Sequence, residues 1–177
     1  IDTLVIPIGG GGLFSGMGTA ARGIEPGIEL VGVQAELYPS MYDFVKQASL
    51  PTGGDTLAEG IAVKEPGGVT RGVVAALAND VVLVTERALE QAVSLLLQIE
   101  KTVVEGAGAA GLAALLEHKA MFAGKTVGLV LTGGNIDTRL LANVLLRDLA
   151  RSGRLGRLRI RLEDRPGGLY HVSGVFP

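Results

Sequence analysis

Val5-Ile6-Pro7-Ile8-Gly9-Gly10-Gly11-Gly12-Leu13 decides how this sequence is read. A short apolar run ends in four consecutive glycines, and an amphipathic stretch over residues 13–23 follows at once. An apolar run bounded by glycine predicts a buried strand, and the stretch after it predicts a helix. Four residues without Cβ atoms let the backbone turn tightly and aim successive N–H groups inward. The helix start then adds unpaired N–H groups and the positive end of a dipole, which together make an anion cup suited to a phosphate.

Working outward, four apolar runs, the opening one at residues 3–8 and others at 29–34, 81–85 and 126–132, do not alternate with polar residues, as expected of parallel strands covered on both faces. Helical patterns lie between and after them at 41–48, 69–78, 86–101, 107–120 and 136–150. In the 86–101 stretch Ala88, Leu89, Ala92, Leu95, Leu96 and Ile99 recur at three- and four-residue spacing, with Thr85 placed as N-cap and Glu86 against the helix dipole. Alternating strands and helices predict a three-layer α/β fold with a parallel sheet, in which ligands bind at the carboxyl ends of strands. A second glycine loop, Gly133-Gly134-Asn135, follows the fourth predicted strand.

Composition narrows the chemistry. With 177 residues, 47% of them hydrophobic, and a net charge of −2, the chain can bury an α/β core. Cysteine is absent and only His118 and His171 supply imidazoles, which argues against a thiolate or histidine metal site and a Ser/His/Asp triad. Residues 139–177 hold 8 arginines against 3 acids, but they lack the interleaved aromatics that stack on bases, so no nucleic-acid partner is expected. No apolar run reaches the roughly 20 residues that span a bilayer, no signal-peptide pattern appears, and a cytoplasmic location is expected. The chain opens on Ile1 inside a strand-like run and stops at Val175-Phe176-Pro177 without a terminal turn, so it reads as a piece of a longer protein.

Three phosphate ligands compete for the glycine loop. A nucleotide P-loop fails, because Gly124-Lys125-Thr126 precedes a strand and Lys119 stands where the leading glycine belongs. A dinucleotide fingerprint is only approximated by Gly10, Gly12 and Ser15, with Glu36 as a late ribose-binding acid. The run from Leu4 to Gly16 resembles the tetraglycine phosphate loop of fold-type-II pyridoxal-phosphate (PLP) enzymes, and is most similar to the threonine dehydratase, serine dehydratase and serine racemase group. Three more blocks resemble the group in the same order: Thr56-Leu57-Ala58-Glu59-Gly60-Ile61-Ala62-Val63, Val104-Glu105-Gly106-Ala107-Gly108, and Thr132-Gly133-Gly134-Asn135-Ile136-Asp137.

The resemblance implies pyridoxal 5'-phosphate as cofactor, with Gly9, Gly10, Gly11, Gly12 and Leu13 on its phosphate, Thr132 on the pyridine nitrogen, and the backbone at Gly60 beside the ring. Glu105 matches an acidic position near the ring and is the candidate catalytic residue of this chain; the alternative is a first-turn acid that stabilises the next helix. For Thr132 the alternative is a hydroxyl capping the helix after it. Asn135 and Asp137 are expected to order their loop. Some relatives bind a divalent metal through a Glu and an Asp after the second strand; Gln34 and Ser40 stand there, and no metal is expected.

The group attaches PLP through a lysine in a Ser-x-Lys-x-Arg-Gly motif before the glycine loop. None of Lys46, Lys64, Lys101, Lys119 or Lys125 has that context, so this stretch alone is expected to be inactive. Residues 1–150 read as the C-terminal part of a catalytic domain, 151–157 as a linker, and 158–177 as the start of an ACT-like βα regulatory unit. In that unit Leu158, Ile160 and Leu162 alternate on a strand, and Asp164-Arg165-Pro166-Gly167-Gly168-Leu169 turns into a helix. The implied function is dehydration and deamination of threonine or serine. A small amino-acid substrate, an amino-acid effector and a homo-oligomer are the expected partners. A racemase, another β-eliminating PLP enzyme, or a non-catalytic amino-acid sensor are the alternatives.

Overall fold

In a computed structural model, which describes residues 1–162 and 164–175, four strands form one parallel sheet in the order β3-β2-β1-β4. These are β1 (Thr3–Pro7), β2 (Glu29–Ala35), β3 (Asp80–Val84) and β4 (Val127–Leu129). Val5 pairs with Val31 on one side and with Leu129 on the other. Alternate strand residues serve opposite faces. Val5, Val31, Val33, Val82 and Val84 join one apolar cluster with α4 (Glu86–Leu95) and α5 (Gly106–Glu117). Ile6, Ile8, Leu30 and Val81 join a second with Phe14 of α1 (Gly12–Ile24), Met41 of α2 (Ser40–Lys46) and Val74 of α3 (Thr70–Leu77). The three-layer expectation therefore holds.

Helix α5 is built almost entirely from glycine, alanine and leucine, and eight of its residues, all glycine or alanine, are buried. Small side chains let its axis approach the sheet: a Cβ on Gly111 would stand 3.7 Å from the Val5 carbonyl oxygen. Thr85 caps α4 as expected, its hydroxyl accepting from Ala88 N–H at 3.2 Å. Glu86 does more than face the dipole, since its carboxylate also accepts from Thr56 Oγ1 at 2.5 Å and Leu57 N–H at 2.8 Å. That pins the Thr56-Leu57-Ala58 segment beside the sheet.

Three expectations are corrected. The fourth strand ends at Leu129 instead of 132 and lies at an edge with half-buried residues, because only β1 offers it a ladder. The 86–101 helix passes at Leu96 into a π-helical turn, Leu96–Glu100, closed by Lys101 in the left-handed region at φ 57°. The 107–120 helix breaks at His118, whose ring nitrogen Nε2 sits 2.9 Å from the Leu83 carbonyl oxygen, and a short α6 (Lys119–Phe122) follows.

Helix α7 (Thr138–Arg151) lies on α4 through a polar seam. Glu90, nearly buried, meets Arg147 at 2.6 Å and also Arg151, while Ser94 Oγ donates to Asp148 at 2.7 Å. Residues 158–162 are not the strand their alternation predicts. Among the described residues no segment pairs with them, and Leu158, Ile160 and Leu162 are exposed. The helix start after them is present as α8 (Gly168–Ser173), entered through Gly167 at φ 87°. Glu163, Phe176 and Pro177, which belong to the turn and terminus readings, lie outside the described residues. No helix among the described residues is long and apolar enough to cross a membrane.

Candidate active site

The chain leaves β1 toward β2 and β3 on one side and returns to β4 on the other, so β1 and β4 flank the point where the strand order reverses. The crevice at the carboxyl ends of two such strands is the place where open α/β sheets bind ligands. Gly9 and Gly133 each stand four residues beyond the paired Val5 and Leu129, which brings the two glycine loops to the same level above the sheet.

A cavity of about 320 Å³ opens at this crevice. It is lined by Gly9, Gly10, Gly11, Gly12, Leu13, Gly60, Glu105 and Thr132, all eight residues singled out from the sequence, together with Pro7, Ile61 and Ala107. Gly60 arrives on a single 3-10 turn, Glu59–Ile61, and Glu105 from the N-cap position of α5. A neighbouring cavity of about 640 Å³ shares Gly60, Glu105 and Ala107 and extends to Asn135 and Asp137. No lysine lines either space.

The first glycine loop is shaped from behind. Gly11 has φ 91°, a conformation that favours glycine. A Cβ there would stand 2.8 Å from Thr70 Cβ and 2.9 Å from Met41 Cε. In front of the loop the opposite holds: a Cβ on Gly10 or Gly12 would meet nothing within 4 Å. Helix α1 begins at Gly12 with no side chain capping its first turn, so its N–H groups are left to a ligand or solvent.

The second loop is held by Glu105. Its backbone N–H donates to the Gly133 carbonyl at 3.0 Å, and its Oε2 accepts from Asn135 N–H at 3.0 Å. A Cβ on Gly133 would stand 2.7 Å from Glu105 Oε1, and one on Gly134 would stand 2.8 Å from the Val103 carbonyl oxygen. Although Glu105 occupies the N-cap position, its side chain caps nothing in α5. Glu105 thus stands at the start of α5 while its carboxylate bonds across to the second loop. Asp137 caps α7, accepting from Arg139 and Leu140 N–H at 2.9 and 3.0 Å, so Thr132 is not that helix's cap.

Gln34 and Ser40 make hydrogen bonds within the protein. Gln34 Oε1 accepts from Met41 and Tyr42 N–H at 2.8 and 2.9 Å, and Ser40 Oγ donates to the Val63 carbonyl at 2.7 Å. Both contacts support the glycine loop indirectly, since Met41 backs Gly11 and Val63 Cγ2 lies 3.2 Å from a Cβ placed on Gly9. Sequence reasoning missed Met41, Ile61 and Thr70. The signal for Thr70 was a hydroxyl two residues after Pro66-Gly67-Gly68, at the start of a predicted helix.

The donor set fits a phosphorylated heteroaromatic ring. The glycine loop with its free helix-start N–H groups and the hydroxyl-bearing Thr132 line one cavity, and a Cβ on Gly10 or Gly12 would meet nothing within 4 Å. Fold and site define a cofactor-dependent α/β enzyme unit. Residues 1–133 match the family of pyridoxal-phosphate dependent enzymes, and the chain belongs to it.

Over 177 residues it is 39% identical to an L-threonine ammonia-lyase of Thermotoga maritima, covering 99% of this chain and 44% of that protein. It superposes on the processed form of threonine deaminase isoform 2 from Solanum lycopersicum with a TM-score of 0.76, at 27% identity over 86% of this chain and 43% of that one. Maize serine racemase matches with a TM-score of 0.72 and 33% identity, over 84% of this chain and 48% of that one. The chain thus spans less than half the length of the relatives it matches.

Proposed function

We propose that this chain supplies the cofactor-binding half of a PLP-dependent ammonia-lyase that converts threonine, or serine, to the 2-oxo acid and ammonia. The observation that carries this is the single cavity that joins the Gly9-Gly10-Gly11-Gly12 loop to Glu105 and Thr132. Relatedness to L-threonine ammonia-lyases supports the substrate class.

In this reading the N–H groups of the first glycine loop and of the α1 start hold the cofactor's phosphate. Thr132 presents its hydroxyl to the ring nitrogen; a hydroxyl leaves that nitrogen largely unprotonated, where a carboxylate would protonate it. The bound cofactor supplies the electron sink that lets the substrate's Cα proton and β-hydroxyl depart. A moderated sink suits a reaction whose leaving group departs early. Gly60 and Ala107 pack against the ring, and Glu105 acts by holding the second glycine loop, and through it Thr132, at the cavity. By the same resemblance, covalent attachment of the cofactor would need a lysine other than the residues that line this cavity.

The test uses the full-length protein with PLP. Ammonia and 2-oxo acid released from threonine faster than from serine are expected. Cofactor binding without ammonia release from either amino acid would overturn the lyase. A racemase is the second reading, favoured by the likeness to maize serine racemase; interconversion of L- and D-serine as the main activity would decide for it.

We further propose a domain division into residues 1–150, a linker at 151–157 and an ACT-like unit from 158, with an amino-acid effector, a homo-oligomer and a cytoplasmic location. Titrating the full-length enzyme with isoleucine and valine tests the effector. No change in rate or assembly with either would count against it.

A further inference from the structure

The carbonyl of Gly10 is gripped from behind by two donors, Thr70 Oγ1 at 2.5 Å and Gly67 N–H at 3.2 Å. Thr70 is the first residue of α3 and belongs to no sequence block that pointed to the cofactor. A hydroxyl carries one proton, and the Gly67 carbonyl, its other neighbour, lies farther away at 3.2 Å, so the Gly10 oxygen is the preferred acceptor.

The consequence follows from peptide geometry. In a planar trans peptide the carbonyl of one residue and the N–H of the next point to opposite sides. Fixing the Gly10 carbonyl toward α3 therefore turns the Gly11 N–H away from α3. Among the described residues that N–H donates to no protein acceptor. Gly11 is itself locked at φ 91° against Thr70 and Met41. Gly67 is matched to the same grip: a Cβ on it would stand 2.5 Å from Thr70 Oγ1 and 3.0 Å from the Gly10 oxygen.

We infer that Thr70, with Gly67, is a positioning residue of the phosphate cup, aiming the Gly11 N–H at the cofactor's phosphate without touching the cofactor. This rests on the PLP reading above and goes beyond it by assigning a residue outside the cavity lining.

The experiment compares binding of PLP with binding of pyridoxal, which lacks the phosphate, to the full-length apo protein by absorbance titration. Wild type is expected to prefer PLP. Thr70→Val keeps the bulk beside Gly11 but removes the donor, and should weaken PLP binding about five- to tenfold, the worth of one lost hydrogen bond. Its affinity for pyridoxal should stay within about twofold. Thr70→Ser, which restores the hydroxyl, should recover PLP affinity. Gly67→Ala, which displaces that hydroxyl, should reproduce the phosphate-selective loss should Thr70→Val fold poorly.

A Thr70→Val protein that binds PLP as wild type does, or loses PLP and pyridoxal alike, overturns the inference while leaving the cofactor reading intact. Wild type that binds both ligands equally overturns the cofactor reading and this inference with it.

Discussion

Gly11→Ala is expected to destabilise the protein even when no cofactor is bound. Two costs can be worked from the structure. At φ 91° an L-residue pays about 1–2 kcal/mol for the left-handed backbone. The added methyl would also stand 2.8 Å from Thr70 and 2.9 Å from Met41, and relieving such overpacking costs about 1–3 kcal/mol. Met41 is fully buried and its helix start is tied to Gln34, so it has little room to yield.

The sum is roughly 2–5 kcal/mol, a large share of the ~5–15 kcal/mol that holds a typical domain folded. Urea unfolding of the apo protein is the assay. With an m value of about 2 kcal/mol/M, the midpoint should fall by roughly 1–2.5 M. Gly10→Ala is the control, because its methyl meets nothing within 4 Å and its backbone is unstrained. It should unfold within about 0.5 kcal/mol of wild type and yet bind PLP more weakly. If Gly11→Ala also unfolds within that margin, the loop is not braced from behind and the reasoning fails.

Further outcomes follow from the same contacts. Glu105→Ala should speed amide hydrogen exchange at Asn135 by roughly three- to tenfold, because it removes the acceptor at 3.0 Å; equal rates would show that the carboxylate does not hold the second loop. Replacing Arg147 and Arg151 together by alanine leaves the nearly buried Glu90 unpaired and should cost about 3–5 kcal/mol, with each single change costing far less. Strictly additive single effects in a double-mutant cycle would contradict that. Lys125 and Thr3 beside Glu29 hold its carboxyl below its ordinary value. A lowered folded-state pKa gives stability that is present at neutral pH and lost as pH falls through that lowered value. The difference in Tm between wild type and Glu29→Gln should therefore shrink on acidification, and a difference that stays constant down to pH 3 would rule out this linkage.

Much of the fold was legible locally. Apolar runs without alternation located four strands within a few residues, and the three- and four-residue spacing located the helices on both faces. Where the readings failed, a non-local contact decided. The strand over 126–132 stops early because only one neighbour pairs with it. The helix over 107–120 breaks where His118 meets the Leu83 carbonyl. Residues 158–162 carry a strand's alternation but find no ladder among the described residues, and side-chain pattern without a hydrogen-bonding partner is not a strand.

The sequence by itself determined the strand, glycine loop and helix start, because their physics is local: four residues without Cβ atoms, an apolar run before them and an amphipathic stretch after them. Its blocks also nominated Gly60, Glu105 and Thr132, but as separate positions along the chain. Only the tertiary structure brought them to one cavity, because β1 pairs with β4 across more than a hundred residues and no local pattern encodes strand order. It alone showed that the Glu105 side chain crosses to the second glycine loop instead of capping its own helix. It alone also showed the loop's hidden side, where Thr70 and Gly67 reach the Gly10 carbonyl. An N–H is aimed by what holds the other face of its peptide plane, and those groups come from a different part of the chain.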